Sequence, residues 1–349
     1  MIDAFSGAVY CPSFRLVKNA QVVSESLLLK FHTMKVTNLA IVFPGQGSQS
    51  VGMLDDLADG FAVVRDTFAE ASDVLERDLW SLVTEGPKST LDQTQVTQPV
   101  MLAAGVAIWR CWQELGGPLP AMMAGHSLGE YSALVCADAV TFADAVRLIE
   151  VRSRLMQRAV PEGEGAMAAV LGLDNQQVVD LCREQAQGQV LEAVNFNAPM
   201  QVVIAGDRDA IKRGIAAAKE AGAKRAIQLP ISVPCHSSLL RAAADELAQS
   251  LADTHFSMPS AEILLNVTVT SPSDPDDLRM LLTRQLHSPV RWVETVQAMA
   301  ARGISTMIES GPGKVLTGLG KRINRQINAL PVFDRAGMEK AMEAIANAE

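Results

Sequence analysis

The stretch from Ala121 to Gly129 constrains this chain more than any other. Ala121 to Ala124 is a short apolar run of buried-strand type, and it passes directly into Gly125-His126-Ser127-Leu128-Gly129, after which the sequence turns helical. A chain that reverses from strand to helix within five residues needs glycine on both sides of the bend, where backbone crosses close to backbone. The pattern is G-x-S-x-G, the nucleophile elbow, which would raise the Ser127 hydroxyl at a helix N-terminus. A plain tight turn is the other reading of the same five residues. In either case strand, turn and helix in direct succession point to an α/β domain.

The rest of the chain extends that pattern. Leu39 to Phe43 is a continuous apolar run closed by Pro44 and Gly45, as expected of a strand buried on both faces of a parallel sheet. Helical patterns cover Phe61 to Leu75 and Val100 to Leu115. From about Gly163 to Pro230 the rhythm changes: strand Met167–Leu173, helix Asn175–Gln187, strands Val190–Phe196 and Gln201–Ala205, helix Asp209–Ala221, strand Ala226–Leu229. The order βαββαβ is that of a ferredoxin-like unit. A small domain, 161–236, is therefore expected inside a large α/β domain built from 34–160 and 237–349, with a ligand-binding cleft between them. The large domain resumes with a helix Ser238–Ala252, a strand Ile263–Val267, a polar loop Ser271–Asp277, a helix through Arg284, and a strand Thr306–Glu309. Gly311-Pro312-Gly313 then precedes a basic helix.

Residues 1–33 stand apart. They lack the cationic start, apolar run and cleavage site of a secretory signal, and Asp3 and Glu25 weaken a transit-peptide reading of Arg15, Lys18 and Lys30. The segment reads as a start-site extension with little structural role.

Composition excludes several classes of function. Lys and Arg total 30 against 39 Asp and Glu, a net charge of −9, which disfavours a nucleic-acid face. The longest apolar run, Val100 to Trp109, is about half the length of a membrane span. Five cysteines, Cys11, Cys111, Cys136, Cys182 and Cys235, form no C-x-x-C pair and suggest free thiols in a reducing, cytoplasmic setting. They leave no zinc-type cluster. Phe43-Pro44-Gly45-Gln46-Gly47-Ser48-Gln49 matches neither the P-loop nor the dinucleotide fingerprint. No cofactor or metal is expected.

A serine nucleophile needs a base, and the chain has five histidines. His32 lies in the extension, His126 points away from Ser127 within the elbow, and His255 has an ordinary surface context. His236 and His287 remain. His236 lies in Ser232-Val233-Pro234-Cys235-His236-Ser237, a loop at the junction of the two domains from which it could reach the elbow. Cys235 has no evident cationic neighbour and reads as packing. The amide of Leu128 would face a tetrahedral oxyanion, and the glycine-rich turn after Phe43 is a candidate for the second donor.

Arg152 is singled out by periodicity. Ala145, Leu148, Ile149, Leu155 and Met156 form one apolar helix face; Arg152 falls within it, and Arg147 lies opposite. A guanidinium on a core-facing stripe needs an anionic partner. An internal carboxylate would make it a structural salt bridge, whereas a substrate carboxylate would make it a bidentate clamp.

Together these motifs resemble bacterial malonyl-CoA:acyl carrier protein transacylases. Pro44-Gly45-Gln46-Gly47-Ser48-Gln49, Gly125 to Tyr131, Arg152, the Ser-Val-Pro-Cys-His segment, Asn195-Phe196-Asn197 and Gly311-Pro312-Gly313-Lys314 occur in that family's order, from about Asn38 to Asn324. The resemblance implies a hydrolase-like large domain with a parallel sheet and nucleophile elbow, plus an inserted ferredoxin-like small domain. It implies Ser127 as acylated nucleophile and His236 as base, with the carbonyl of Gln285 orienting the histidine. The amides of Gln46 and Leu128 would form the oxyanion hole, and Arg152 would hold the malonyl carboxylate. Malonyl-CoA and holo acyl carrier protein are the implied partners, in the service of fatty acid synthesis. One departure is Cys235, where the family usually has serine.

Carrier proteins of this kind are acidic, so a local basic surface is expected, with Lys314, Lys321, Arg322, Arg325 and Arg291 as candidates. The elbow alone would also suit a serine esterase or thioesterase, which has no use for Arg152. A related acyltransferase serving polyketide synthesis or malonate decarboxylation shares the motifs. A non-catalytic interaction protein would need none of Ser127, His236 and Arg152.

Overall fold

The computed structural model of the chain describes residues 35–347 apart from residue 232. The expected extension 1–33 lies outside them, as do Cys11, His32 and Ser232. Five strands form a wholly parallel sheet in the order β7-β2-β1-β8-β9, from β1 (Lys35–Phe43), β2 (Leu119–Gly125), β7 (Glu262–Leu264), β8 (Thr306–Ser310) and β9 (Asn328–Val332). β1 is central and covered on both faces. Leu39, Ile41 and Phe43 enter the core on one side of the sheet, while Ala40 and Val42 enter the core on the other. That double burial is why the strand reads as an unbroken apolar run.

A second, antiparallel sheet has the order β4-β5-β3-β6, built from β3 (Gly165–Leu171), β4 (Leu191–Ala198), β5 (Gln201–Asp207) and β6 (Arg225–Gln228). Helices Asn175–Ala186 and Arg208–Glu220 complete the βαββαβ order. Alternation along β5 sends Val202 and Ile204 into one core with Leu181 and Ile211, and Val203 and Ala205 to the opposite face. That opposite face collects Met167, Val194, Ile231 and Cys235, and it overlooks the elbow. The two sheets are joined where β4 meets the large unit: Val290 N–H donates to Val194 O at 2.9 Å, and Phe196 N–H donates to Val290 O at 3.0 Å.

Most expected elements fall within a few residues of their positions. β7 is shorter than the expected Ile263–Val267, because Leu265 and Asn266 leave the sheet to bond elsewhere: Asn266 N–H donates to Glu130 Oε2 at 2.6 Å. The helix expected from Ser238 opens as a 3-10 turn, Ser238–Leu240, and becomes α-helical at Arg241. The loop Ser271–Asp277 is cut short by a helix that starts at Pro275, capped by Asp274 Oδ1 accepting from Asp276 and Asp277 N–H. β9 and the closing helix Arg335–Ala346 were not expected. Among the described residues no helix is long and apolar enough to cross a membrane.

Candidate active site

Ser127 sits at the carboxyl end of β2 with φ of 55°, in the left-handed region that a non-glycine residue adopts only under constraint. The flanking glycines make the bend sterically feasible. A Cβ on Gly125 would lie 1.8 Å from the Gly129 carbonyl carbon, and one on Gly129 would lie 2.1 Å from the Phe43 carbonyl oxygen. Asn266 straps the bend from outside: its Oδ1 accepts from Ser127 N–H at 2.7 Å, and its Nδ2 donates to Gly125 O at 2.6 Å. His126 turns away and its Nε2 bonds Asn197 Oδ1 at 2.8 Å.

His236 also has a left-handed backbone, φ 65°, and is buried. Its Nε2 lies 2.7 Å from Ser127 Oγ, and its Nδ1 lies 2.8 Å from the backbone oxygen of Gln285. A carbonyl can only accept, so Nδ1 carries the proton and Nε2 is free to accept from the serine hydroxyl. Gln285 is the last residue of helix Pro275–Gln285, where carbonyls lack helical partners. Burial, and next the nearby Arg152 charge, push the His236 pKa down to about 3. The ring is therefore neutral at physiological pH. His287, the other candidate base, lines a neighbouring groove that His236 and Arg241 also border and that Ser127 does not reach.

Arg152, from helix Phe142–Ala159, has no solvent exposure. Its Nη1 donates to Gln98 Oε1 at 2.5 Å; its Nη2 donates to Gln285 Oε1 at 3.0 Å and to Ser127 Oγ at 3.3 Å. The guanidinium lies 5.7 Å from the Tyr131 ring centre, and its Nε has no partner. All three acceptors are neutral, so a buried cation stands beside the nucleophile without an ion pair among the described residues.

Gln46, Leu128, Arg152, Met167, Cys235 and His236 share the walls of one cavity with Ser127. The backbone N–H groups of Gln46 and Leu128 donate to no other group of the described residues. All six expected residues are therefore brought together: four line the cavity beside Ser127, while Gln285 supports it from behind.

Gln98, Glu130 and Asn266 also build the site, and no motif or periodicity marks them in the sequence. Glu130 is fully buried; its oxygens accept from Asn266 N–H at 2.6 Å and from Gln285 Nε2 at 3.0 Å. Burial raises its pKa to about 8, against those two donors. Its only sequence signal was a carboxylate directly after an elbow. Cys235 needs a correction, since Arg152 does supply a cationic neighbour, yet burial outweighs it and pushes the thiol up to about 11. It stays an unreactive thiol.

The expected docking cations are not equivalent. Lys321, Arg322 and Arg325 are exposed, and Arg322 Nη1 reaches across to Gln201 Oε1 of the small sheet at 2.6 Å. Arg291 is committed to Glu294 and to the carbonyls of Val267 and Thr268. Among the described residues no group of three or more His, Cys, Asp or Glu side chains is arranged to hold a metal.

Residues 40–347 match the family described as the acyl transferase domain. The chain is 53% identical over 308 residues to the malonyl CoA-acyl carrier protein transacylase of Escherichia coli (strain K12), covering 88% of this chain and all of that protein. It is similar to the crystal structure of an acyl carrier protein S-malonyltransferase from Vibrio cholerae, with a TM-score of 0.85 and 55% identity over 87% of this chain and 99% of that one. It is also similar to a malonyl-transacylase solved in complex with its type II PKS acyl-carrier protein, with a TM-score of 0.87 and 53% identity over 88% and 99% of the two chains.

Proposed function

The chain belongs to the acyl transferase domain family, and from that premise we propose that it moves a malonyl group from malonyl-CoA to the phosphopantetheine thiol of acyl carrier protein, supplying fatty acid synthesis. The observation that carries the choice of acyl group is Arg152: a buried guanidinium 3.3 Å from the nucleophile, held only by neutral acceptors. Such a charge calls for an anionic substrate group.

The reaction follows from the distances. Ser127 Oγ gives its proton to His236 Nε2 as it attacks the thioester carbonyl. The amides of Gln46 and Leu128 receive the oxyanion, helped by the N-terminus of helix Gly129–Cys136. The tetrahedral intermediate collapses, the carbon–sulfur bond breaks, and His236 returns the proton to the CoA sulfur. The product is a malonyl ester on Ser127. The carrier's thiol then attacks that ester with His236 again as base, and the serine hydroxyl is restored. Two half-reactions through one ester give ping-pong kinetics. Throughout, the Gln285 carbonyl holds His236 in the productive tautomer and helps stabilise the imidazolium.

Buried free thiols at Cys111, Cys136 and Cys182 support a cytoplasmic setting. Intact-protein mass spectrometry tests the whole reading. With malonyl-CoA the chain should gain one malonyl group, lose it to added holo carrier protein, and gain none as Ser127→Ala. Hydrolysis of malonyl-CoA without transfer would favour a thioesterase instead.

A further inference from the structure

Glu130 has no direct part in the chemistry above, yet both of its oxygens are engaged within the core beneath the nucleophile. Oε2 accepts from Asn266 N–H at 2.6 Å, and Oε1 accepts from Gln285 Nε2 at 3.0 Å. The same Gln285 nitrogen donates to the Ser127 carbonyl at 3.0 Å. Both amide hydrogens of Gln285 are thus directed at acceptors. Fixing the nitrogen of a primary amide fixes its oxygen as well. That oxygen faces Arg152 and accepts from Nη2 at 3.0 Å. Turned half a revolution, the amide would set NH₂ against guanidinium, donor to donor, and would lose the bonds from its nitrogen to Glu130 Oε1 and to the Ser127 carbonyl.

The consequence concerns charge. A neutral oxygen orients the guanidinium without cancelling it, and Gln98 does the same from the other side at 2.5 Å. Glu130, a buried carboxyl close enough to feel the Arg152 charge, is kept from direct contact by the interposed Gln285 amide and by its bond to Asn266. We propose that Glu130 is a positioning residue for substrate selection: it sets the Gln285 amide so that Arg152 keeps an uncancelled charge for the malonyl carboxylate. This rests on the reading of Arg152 as the malonyl clamp.

The test compares single-turnover loading of the full chain from malonyl-CoA and from acetyl-CoA, followed by intact mass. Glu130→Gln keeps the shape but leaves a single acceptor oxygen where Asn266 N–H and Gln285 Nε2 now meet one each, so it no longer dictates which way Gln285 faces. Malonyl loading should fall about tenfold or more, the worth of one hydrogen bond to a charged group, with a much smaller change in acetyl loading. Gln285→Glu sets a carboxylate directly against Arg152 and should lower the malonyl-to-acetyl ratio further; it carries the test alone if Glu130→Gln melts below assay temperature. Equal losses for both acyl groups, or an unchanged ratio, would overturn the proposal and leave Glu130 a support of the elbow only. A wild-type chain with no preference for malonyl would instead remove the clamp reading, and this inference with it.

Discussion

The backbone oxygen of Gln285 lies 2.8 Å from Nδ1 of His236, in the place where many serine enzymes set a carboxylate. A carbonyl supplies orientation and a partial negative charge, and the C-terminal end of its helix adds to that charge. It offers far less stabilisation of an imidazolium than a full anion would. The base is therefore weakly basic at rest, with burial and Arg152 together holding its pKa near 3.

That value predicts an unusual acid limb. If His236 kept an ordinary pKa near 6.5, malonyl loading would halve there. Instead kcat/KM for malonyl-CoA should be nearly flat from pH 7.5 to 5.5. The sign for stability is opposite to that of a paired histidine. Between about 6.5 and 3 the unfolded chain binds a proton that the folded chain refuses, so stability falls as pH drops below 6.5. Glu130 works the other way between about 8 and 4.5, since its raised pKa makes the folded state the better proton binder. Thermal melts of wild type and His236→Gln from pH 7 to pH 4 separate the two. The wild type should lose stability relative to the variant as pH falls, and parallel curves would refute the buried neutral base.

Arg152 makes a second prediction. Arg152→Ala should reduce malonyl loading about a hundredfold or more, since a desolvated charge contact costs about 2–5 kcal/mol to break. Arg152→Lys should not restore it, because one ammonium cannot reach Gln98, Gln285 and the substrate from a single point. Acetyl loading should survive in Arg152→Ala. Rapid-quench loading with each thioester measures this, and equal losses would argue that Arg152 merely supports the fold.

Why Arg152 was legible in the sequence and Gln98 was not is a matter of contrast. Helix Phe142–Ala159 has one buried face, so a cation within that face stands out. Helix Thr94–Glu114 is buried almost all round from Val96 to Trp109, so no stripe marks Gln98 as unusual. Asn266 is hidden for another reason: it falls inside the strand-like run Ile263–Val267, whereas the chain leaves the sheet at Leu264 to brace the elbow. β9 escaped notice because Pro331 interrupts it, which an edge strand tolerates and an inner strand would not. The elbow, the βαββαβ order and β1 were readable because each is enforced locally, by close approach, by alternation, and by burial on two faces.

The elbow glycines allow a stability test independent of substrate. On Gly129 a methyl group would meet the Phe43 carbonyl at 2.1 Å, backbone against backbone, with no flexible side chain to yield. Gly129→Ala should cost about 3 kcal/mol or more, at the upper end of overpacking effects. It should also separate β1 from the start of helix Gly129–Cys136. A denaturant melt reads the loss. A cost under about 1 kcal/mol would mean that the bend relaxes freely, and Ser127 would not then be held in its strained conformation.

The last prediction concerns the carrier. Lys321 and Arg322 are exposed on the last turn of helix Val315–Ile323, and Arg322 reaches Gln201 of the small sheet, so the pair of charges borders the junction of the two sheets. An acidic carrier approaching that junction would be steered by both. Reversing both charges, Lys321→Glu with Arg322→Glu, should raise the KM for carrier protein about tenfold at low salt and leave loading from malonyl-CoA unchanged. The difference should shrink at high salt, because exposed charges are screened within about 10 Å at 0.1 M. Gln201→Ala controls for the lost bond: it removes the Arg322 contact but keeps both charges. If Gln201→Ala reproduces the effect, the junction's geometry matters and its charge does not. If the reversed variant keeps wild-type carrier kinetics, docking occurs on another surface.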